Sequence, residues 1–198
     1  HINPEIGTTL EDNGRVLFKG ITGNVGDGET DIRAESILLD DGNALVYWLD
    51  LRKSPFQSLT YGKIIGTDYN QIDWTNGSPL CLNDRQALPS VANSNGTFML
   101  AFSHEGEYSS IYYQMLDNDL NMIGDQNGTL LYQADGWNML DPKLTADNEG
   151  NFYMAYIDDR NMLFGFLPMK AVYLQKFDIS GNPQWPDGGI LVSSAEQE

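Results

Sequence analysis

Three segments of the chain repeat one pattern at a constant spacing, and this repeat constrains the fold more than any other feature. The segments are LLDDGNALVYWLDLR (38–52), VANSNGTFMLAFSHE (91–105) and LTADNEGNFYMAYIDDR (144–160). Each contains a turn glycine, and Gly42, Gly96 and Gly150 follow one another at intervals of 54 residues. Asp, Asn or Glu precedes each glycine, which is typical of a tight hairpin turn. The repeat therefore predicts three hairpins of similar structure.

A second hairpin is predicted after each of these. The third strands are LTYGKII (59–65), IYYQMLD (111–117) and VYLQKFD (172–178), and short fourth strands follow at SPLCL, TLLYQ and ILVSS. Each unit is then four antiparallel strands in about 50–60 residues, the size of one propeller blade. A β-sandwich would also have short strands, but it gives no reason for the constant period. We predict an all-β chain built from the four-stranded antiparallel blades of a β-propeller.

The amino-terminal residues fit the same repeat. The DNG at 12–14 corresponds to the TNG, QNG and DGG of the later units, so residues 1–20 match the second half of a blade. The prediction is a single propeller-type region over 1–198, with whole blades at 35–82, 89–133 and 142–194. Because propellers close with four to eight blades, we expect the chain to be a fragment or one member of an assembly.

Charge and composition exclude several classes of partner and site. The chain has 28 acidic and 11 basic residues and a net charge of −17, which disfavours nucleic acid and anionic membrane surfaces. Its one cysteine, Cys81, rules out an intrachain disulfide or a multi-cysteine metal site, and two histidines are too few for a histidine-rich one. No stretch approaches the roughly 20 apolar residues of a transmembrane helix.

The last unit carries a resemblance to a known group of proteins. PKLTADNEGNFYMAYIDDR and AVYLQKFDISGNPQWPDGGILVS, within residues 142–193, resemble the repeat of large proteins secreted or displayed by Bacteroidota, often cargo of type IX secretion. The match is good in 89–133 and weaker in 35–82, where Gly62 replaces the glutamine of Gln114 and Gln175. The resemblance implies an extracellular or outer-surface location and a scaffold or binding role. It transfers no catalytic residue, and the sorting domain that it implies is not seen.

The sequence carries no convincing mark of catalysis. KFDISGNPQW comes near the Asp-box of sialidases, but its Gly181 and Trp185 are one residue too far apart. A glycosidase needs two carboxylates at a fixed separation, and 28 acidic residues supply such pairs by chance. No Ser-His-Asp, P-loop or HExxH pattern occurs. We therefore predict that the chain is not an enzyme.

The repeated polar residues are predicted to have structural roles. Asp50/Arg52 and Asp158/Arg160 occupy equivalent positions, and side chains at i and i+2 share one strand face. We expect them to form charge-assisted hydrogen bonds between blades, with an anion site as the alternative. Asp-rich turns such as 40–43 and 117–121 predict turn chemistry. Calcium in one such turn is left open, since the full calcium-loop pattern is missing, and no other cofactor or metal is predicted.

The variable segments gather on one rim of the predicted blades. They include KSPFQS (53–58), GEYSS (106–110) and the apolar NMLFGFLPMK (161–170), which interrupts an otherwise acidic chain. Variable loops on a rigid scaffold are common binding surfaces, and aromatic residues and methionine are enriched at interfaces. The predicted partner-binding residues are Phe56, Tyr108, Trp137, Met162, Leu163, Phe164 and Phe166.

Three functions follow from this surface. The first is a non-enzymatic module that binds a protein partner, or the remaining blades of the same parent protein. The alternative is a carbohydrate-binding or glycoside-hydrolase-like domain in which Trp137 stacks on a sugar. The third is a structural spacer of a large surface protein. For NMLFGFLPMK we favour an exposed loop over one that folds back on the last blade.

Overall fold

The computed structural model describes residues 34–51, 57–66, 77–132, 136–163 and 167–194, with the backbone alone at 161–163, 167–169 and 194. The half-blade predicted at 1–20 lies outside these residues. Within them the chain forms strands, whose bounds in chain order are β1 Ala34–Leu38, β2 Ala44–Asp50, β3 Leu59–Ile65, β4 Ser78–Pro79, β5 Gln86–Ser94, β6 Thr97–His104, β7 Ser110–Leu116, β8 Met122–Ile123, β9 Thr129–Leu130, β10 Met139–Ala146, β11 Phe152–Leu163, β12 Leu167–Phe177 and β13 Ile190–Ser194.

These strands form three antiparallel sheets that follow chain order. The first blade is β1-β2-β3-β4 and the third is β10-β11-β12-β13. In the second blade the order is β5-β6-β7, and both β8 and β9 pair with β7, so that its outer strand is in two pieces. The prediction of four-stranded antiparallel blades is confirmed.

The hairpin turns explain why the repeat is regular. Gly42 and Gly150 have φ angles of 82° and 93°, a conformation that side-chain-bearing residues rarely adopt. The predicted third strand at 59–65 coincides with β3. The fourth strands are shorter than predicted in the first two blades, since β4 and β9 have two residues each.

Residues of the middle blade alternate between two hydrophobic clusters. Along β6, Phe98 and Leu100 pack with Leu45 and Tyr47 of the first blade. Met99 and Ala101 point the other way and pack with Met154 of the third blade. Successive side chains on a strand lie on opposite faces. Alternate residues of β6 therefore pack against the first and the third blade, and the second blade lies between them.

An aromatic pair recurs at one place in each blade. Trp48 stacks on Tyr61 with ring centroids 6.5 Å apart, and Tyr156 stacks on Tyr173 at 6.0 Å. Phe102 and Tyr112 form the same pair in the second blade at 6.1 Å. The three members on the second strands are each 54 residues apart, as the turn glycines are. Cross-strand aromatic pairs stabilise sheets, so the repeat preserves packing as well as turns.

The segment NMLFGFLPMK is more regular than expected. Strand β11 continues to Leu163, and β12 begins at Leu167, with Met162 opposite Pro168 and Leu163 opposite Leu167. The irregular loop expected here is instead two strand arms, flanking residues 164–166, which lie outside the described chain. Proline has a φ angle compatible with extended backbone, so Pro168 does not end the strand.

Candidate functional site

The blade topology sorts the connections onto two rims. The turn rim carries the hairpin turns at 39–43, 95–96, 117–121, 147–151 and 178–182. The connector rim carries the loop at 105–109, between the second and third strands of the second blade, and the described residues of the connections between blades, 80–85, 131–132 and 136–138. The inner strands β5 and β10 both begin at the connector rim.

A bulge near the start of β10 carries a carboxylate. The register of β10 against β11 shifts between Leu140 and Lys143. Asp141 lies in this bulge with φ 53°, and Leu88 holds the same position in β5 with φ 50°. Bulges redirect side chains and are common beside functional sites. The same bulge is present in both blades, but the third blade has Asp141 at the position where the second has Leu88.

The neighbouring blade supports this bulge. The backbone N–H of Asp141 donates to Ser103 Oγ at 3.2 Å, and that serine is 2% exposed. Further along the strand, Leu144 N–H donates to Ser90 Oγ at 3.0 Å. Backbone groups on the inner edge of β10 are therefore satisfied by serines of the second blade, which fixes the position of the bulge.

The side chain of Asp141 is accessible and has a basic partner. Its Oδ1 lies 2.9 Å from Lys143 Nζ, and the two side chains are 40% and 57% exposed. An exposed ion pair contributes little to stability. The pair instead places an acceptor and a donor side by side, both open to solvent and both able to hydrogen bond a ligand.

A second polar group fixes the backbone that leads into β10. The side-chain amide of Asn138 donates to Asp159 Oδ2 at 3.2 Å, and its backbone N–H donates to Asp159 Oδ1. Ser109 N–H donates to Asn138 Oδ1 at 2.9 Å, and Met139 N–H donates to the Ser109 carbonyl at 2.8 Å. The 105–109 loop of the second blade and the start of the third are thus bonded together at the connector rim.

The repeated Asp/Arg pair is structural. Arg160 Nε donates to Asp158 Oδ2 at 2.8 Å, and its Nη2 donates to the Gly188 carbonyl at 3.1 Å. The guanidinium also lies 4.1 Å from the centre of the Tyr173 ring. The expected hydrogen bonds between blades are wrong for this pair, because the two residues hydrogen bond to each other and to their own blade; the contact with the second blade is the guanidinium over the Tyr132 ring, 4.9 Å from its centre. The Asp158 carboxylate already binds the Arg160 guanidinium, so Arg160 does not form an anion site. Arg52 lies outside the described residues.

The acidic turns use their carboxylates internally. Asp117 Oδ1 accepts N–H groups of Asp119 and Asn121 at 2.9 and 2.8 Å, and Asp147 and Asp178 repeat this arrangement. Hydrogen bonds from Asn121 lower the pKa of Asp117. The described ranges contain no group of three or more His, Cys, Asp or Glu able to hold a metal ion. Cys81 is buried, which raises the pKa of its thiol to about 11.

The predicted contact residues have different environments. Tyr108 is 44% exposed on the 105–109 loop. Trp137 is half-buried against the cluster shared by the second and third blades, and its Nε1 is buried with no hydrogen-bond partner among the described residues. Met162 and Leu163 belong to β11. Phe56, Phe164 and Phe166 lie outside the described residues, and the contact role of all seven stays a prediction.

No protein-family model and no curated protein matches the chain. Solved structures of enzymes are similar in fold. A thermostable family-43 glycoside hydrolase superposes with a TM-score of 0.50 and 14% identity, over 83% of this chain and 53% of that one. A GH43_12 enzyme retrieved from a capybara gut metagenome gives 0.54 and 14%, over 81% and 33%. A PL25 ulvan lyase bound to GlcA(1-4)Rha3S gives 0.51 and 8%, over 79% and 44%.

These similarities correct one expectation. The prediction that the chain is not an enzyme is wrong, because the blade arrangement is that of glycoside hydrolases and a polysaccharide lyase. At identities of 8% to 14% the similarity shows the fold and transfers no residue. The chain spans between 33% and 53% of the length of these three chains. Within its described residues, no helix is long and apolar enough to cross a membrane.

Proposed function

We propose that this chain is part of a β-propeller that binds and cleaves a polysaccharide at the connector rim. The observation that carries the proposal is the bulged inner strand of the third blade, which presents the Asp141 carboxylate beside Lys143. The shared fold of glycoside hydrolases and a polysaccharide lyase supports the reaction class.

Cleavage of a glycosidic bond needs a proton donor or acceptor held at the bond. Asp141 fits this need, since the bulge and the Ser103 contact fix its backbone while its side chain stays open to solvent. Lys143 can donate to a sugar hydroxyl or to a leaving oxygen. We assign Asp141 the acid–base role, as one of the two carboxylates that hydrolysis requires or as the base of an elimination, and Lys143 a substrate-binding role.

An extracellular location is part of the same proposal. The resemblance of residues 142–193 to secreted repeats supports it, and a polymeric substrate that cannot cross a membrane must be met outside the cell. Trp137 is then a support for the rim, since it packs against the core shared by two blades.

The test is cleavage of soluble polysaccharides by the purified chain. New reducing ends report hydrolysis, and the ultraviolet absorbance of unsaturated products reports elimination. Asp141→Asn should lower the rate by at least about 100-fold, the usual contribution of acid–base catalysis. Asp187→Asn makes the same chemical change at an exposed aspartate on the last turn of the third blade and should retain full activity.

Two results would refute the proposal. One is that no polysaccharide in a broad panel is cleaved by the folded chain. The other is cleavage that Asp141→Asn leaves unchanged, which would place the reaction elsewhere.

A further inference from the structure

A polar cleft of about 770 Å³ opens on the turn rim, between the first and second blades. One wall is the 39–43 turn and the neighbouring Lys63, and the other is formed by Asn93, Asn95 and the 118–120 turn. Phe98, 1% exposed, lies at the cleft as part of the core cluster beneath it. The volume lies in the usual range of small-ligand sites.

The next junction on the same rim is closed. Ser94 Oγ donates to the Asp147 carbonyl at 2.5 Å and Asn95 Nδ2 to the Asn148 carbonyl at 3.2 Å. Tyr113 OH also donates across the junction to the Gly181 carbonyl at 3.1 Å. Between the hairpin turns of the first two blades, the residues that the structure describes exchange no hydrogen bond. The cleft is therefore a property of one junction and is not imposed by the repeat.

Polar side chains in this cleft are available to a ligand. Asp41 and Asp117 are occupied, because they accept the N–H groups of Asn43 and Asn121 in their own turns. Asp40, Asn118 and Asp119 are exposed, and their side chains make no hydrogen bond to another described residue. The cleft thus offers two carboxylates and an amide that are already accessible.

The chemistry of these groups selects the ligand. Sugar hydroxyls can donate to the carboxylates and accept from the amide. A uronate or sulfated chain would meet two carboxylates on a protein of net charge −17, which disfavours its approach. We propose that the cleft is a second glycan site that holds a segment of a neutral polysaccharide. This rests on the proposed function, and it adds a holding site on the rim opposite Asp141.

The experiment separates polysaccharide binding from cleavage. Affinity gel electrophoresis of the whole chain in arabinan, xylan and mixed-linkage glucan measures binding to neutral polymers, and ulvan and polygalacturonate are the anionic polymers for comparison. Cleavage of short oligosaccharides of the neutral polymer that is held measures the reaction. The variant is Asn118→Ala with Asp119→Asn, and Glu149→Gln on the third blade's turn is the matched control, exposed and outside the cleft.

The cleft variant should bind the neutral polysaccharide at least tenfold more weakly and cleave short oligosaccharides at the unaltered rate. Glu149→Gln should behave as the wild type, and Asp141→Asn should lose cleavage but keep retardation. Unchanged retardation of the cleft variant, or retardation by the anionic polymers alone, would overturn the second site while leaving cleavage at Asp141 intact. A wild-type chain that is neither retarded nor active would refute the proposed function and this site together.

Discussion

At the scale of single residues, two ion pairs of the third blade differ in burial and therefore in role. Asp158 is fully buried and Arg160 is 17% exposed, and each bonds to the other through more than one atom. The side chains of Asp141 and Lys143 are 40% and 57% exposed. A buried pair is costly to break, since the remaining charge stays desolvated, whereas an exposed pair contributes little.

Arg160→Ala should therefore lower the free energy of unfolding by about 3 kcal/mol. It leaves the Asp158 carboxylate buried without its counter-ion and removes the contact with the Tyr173 ring. Lys143→Ala should change stability by less than about 1 kcal/mol. Urea denaturation followed by tryptophan fluorescence measures both, and equal losses in the two variants would contradict this division of roles.

At the scale of elements, a buried glutamine secures the segment that follows the third strand. Gln175 is 1% exposed, its Oε1 accepts from Lys176 and Trp185 N–H, and its Nε2 donates to the Pro186 carbonyl at 3.0 Å. The Nε2 of Gln114 likewise donates to the Ile123 carbonyl at 2.8 Å, but its Oε1 is buried without a partner in the part of the chain that the structure describes. The same glutamine position thus bonds to the segment that follows the third strand in two blades.

Gln175→Ala should cost about 2 kcal/mol, because it leaves buried donors and an acceptor unsatisfied. Gln114→Ala should cost less, since one of its polar atoms already lacks a partner. Gln184→Ala, at an exposed position nearby, is the control and should be nearly neutral. Thermal and urea unfolding of the three variants give the order, and a larger loss at Gln114 than at Gln175 would reverse the interpretation.

The sequence predicts these elements because each repeat preserves the same local interactions. Turn glycines, alternating strand residues and the two glutamines all recur at fixed positions, so their structural roles follow from spacing. In the first blade Gly62 replaces the glutamine, and Leu80 fills the space, since a Cβ at Gly62 would lie 2.9 Å from its side chain.

The candidate site is harder to predict from the repeat. A bulge adds a residue to one strand, so it breaks the alternation from which burial is inferred. One signal is visible in the sequence. Pro89 and Pro142 occupy equivalent positions, and the residue before each is Leu88 in the second blade and Asp141 in the third, so an acid replaces an apolar residue. The cleft on the turn rim depends on how two blades meet, which no local pattern contains.

At the scale of the whole molecule, the acidic residues have two opposite effects as pH falls. Protonation reduces the net charge of −17 and so relieves repulsion. It also removes the negative charge that strengthens the hydrogen bonds closing three turns. Hydrogen bonds lower the pKa of Asp117 and Asp147 below the usual 3.8. For Asp178 the slight burial works against the same bonds, yet its pKa is lowered as well.

Because these pKa values are lower in the folded than in the unfolded chain, their contribution to stability is complete above the unfolded value. It is lost as pH falls through 3.8 and then through the folded values. Replacing all three residues with Asn keeps a side-chain acceptor in each turn but removes its titration. The urea midpoint of this variant should therefore fall less between about pH 5 and about pH 1.

The matched control replaces Asp40, Asp119 and Asp187 with Asn. These three aspartates are exposed, and their side chains accept no hydrogen bond from a described residue. It changes the net charge equally, so it reports relief of repulsion alone and should keep the wild-type loss of stability at low pH. If both triple variants changed the pH dependence by the same amount, net charge and not the bonded turns would set the acid stability of these blades. A smaller pH dependence in the Asp117, Asp147 and Asp178 variant alone would assign it to the turns.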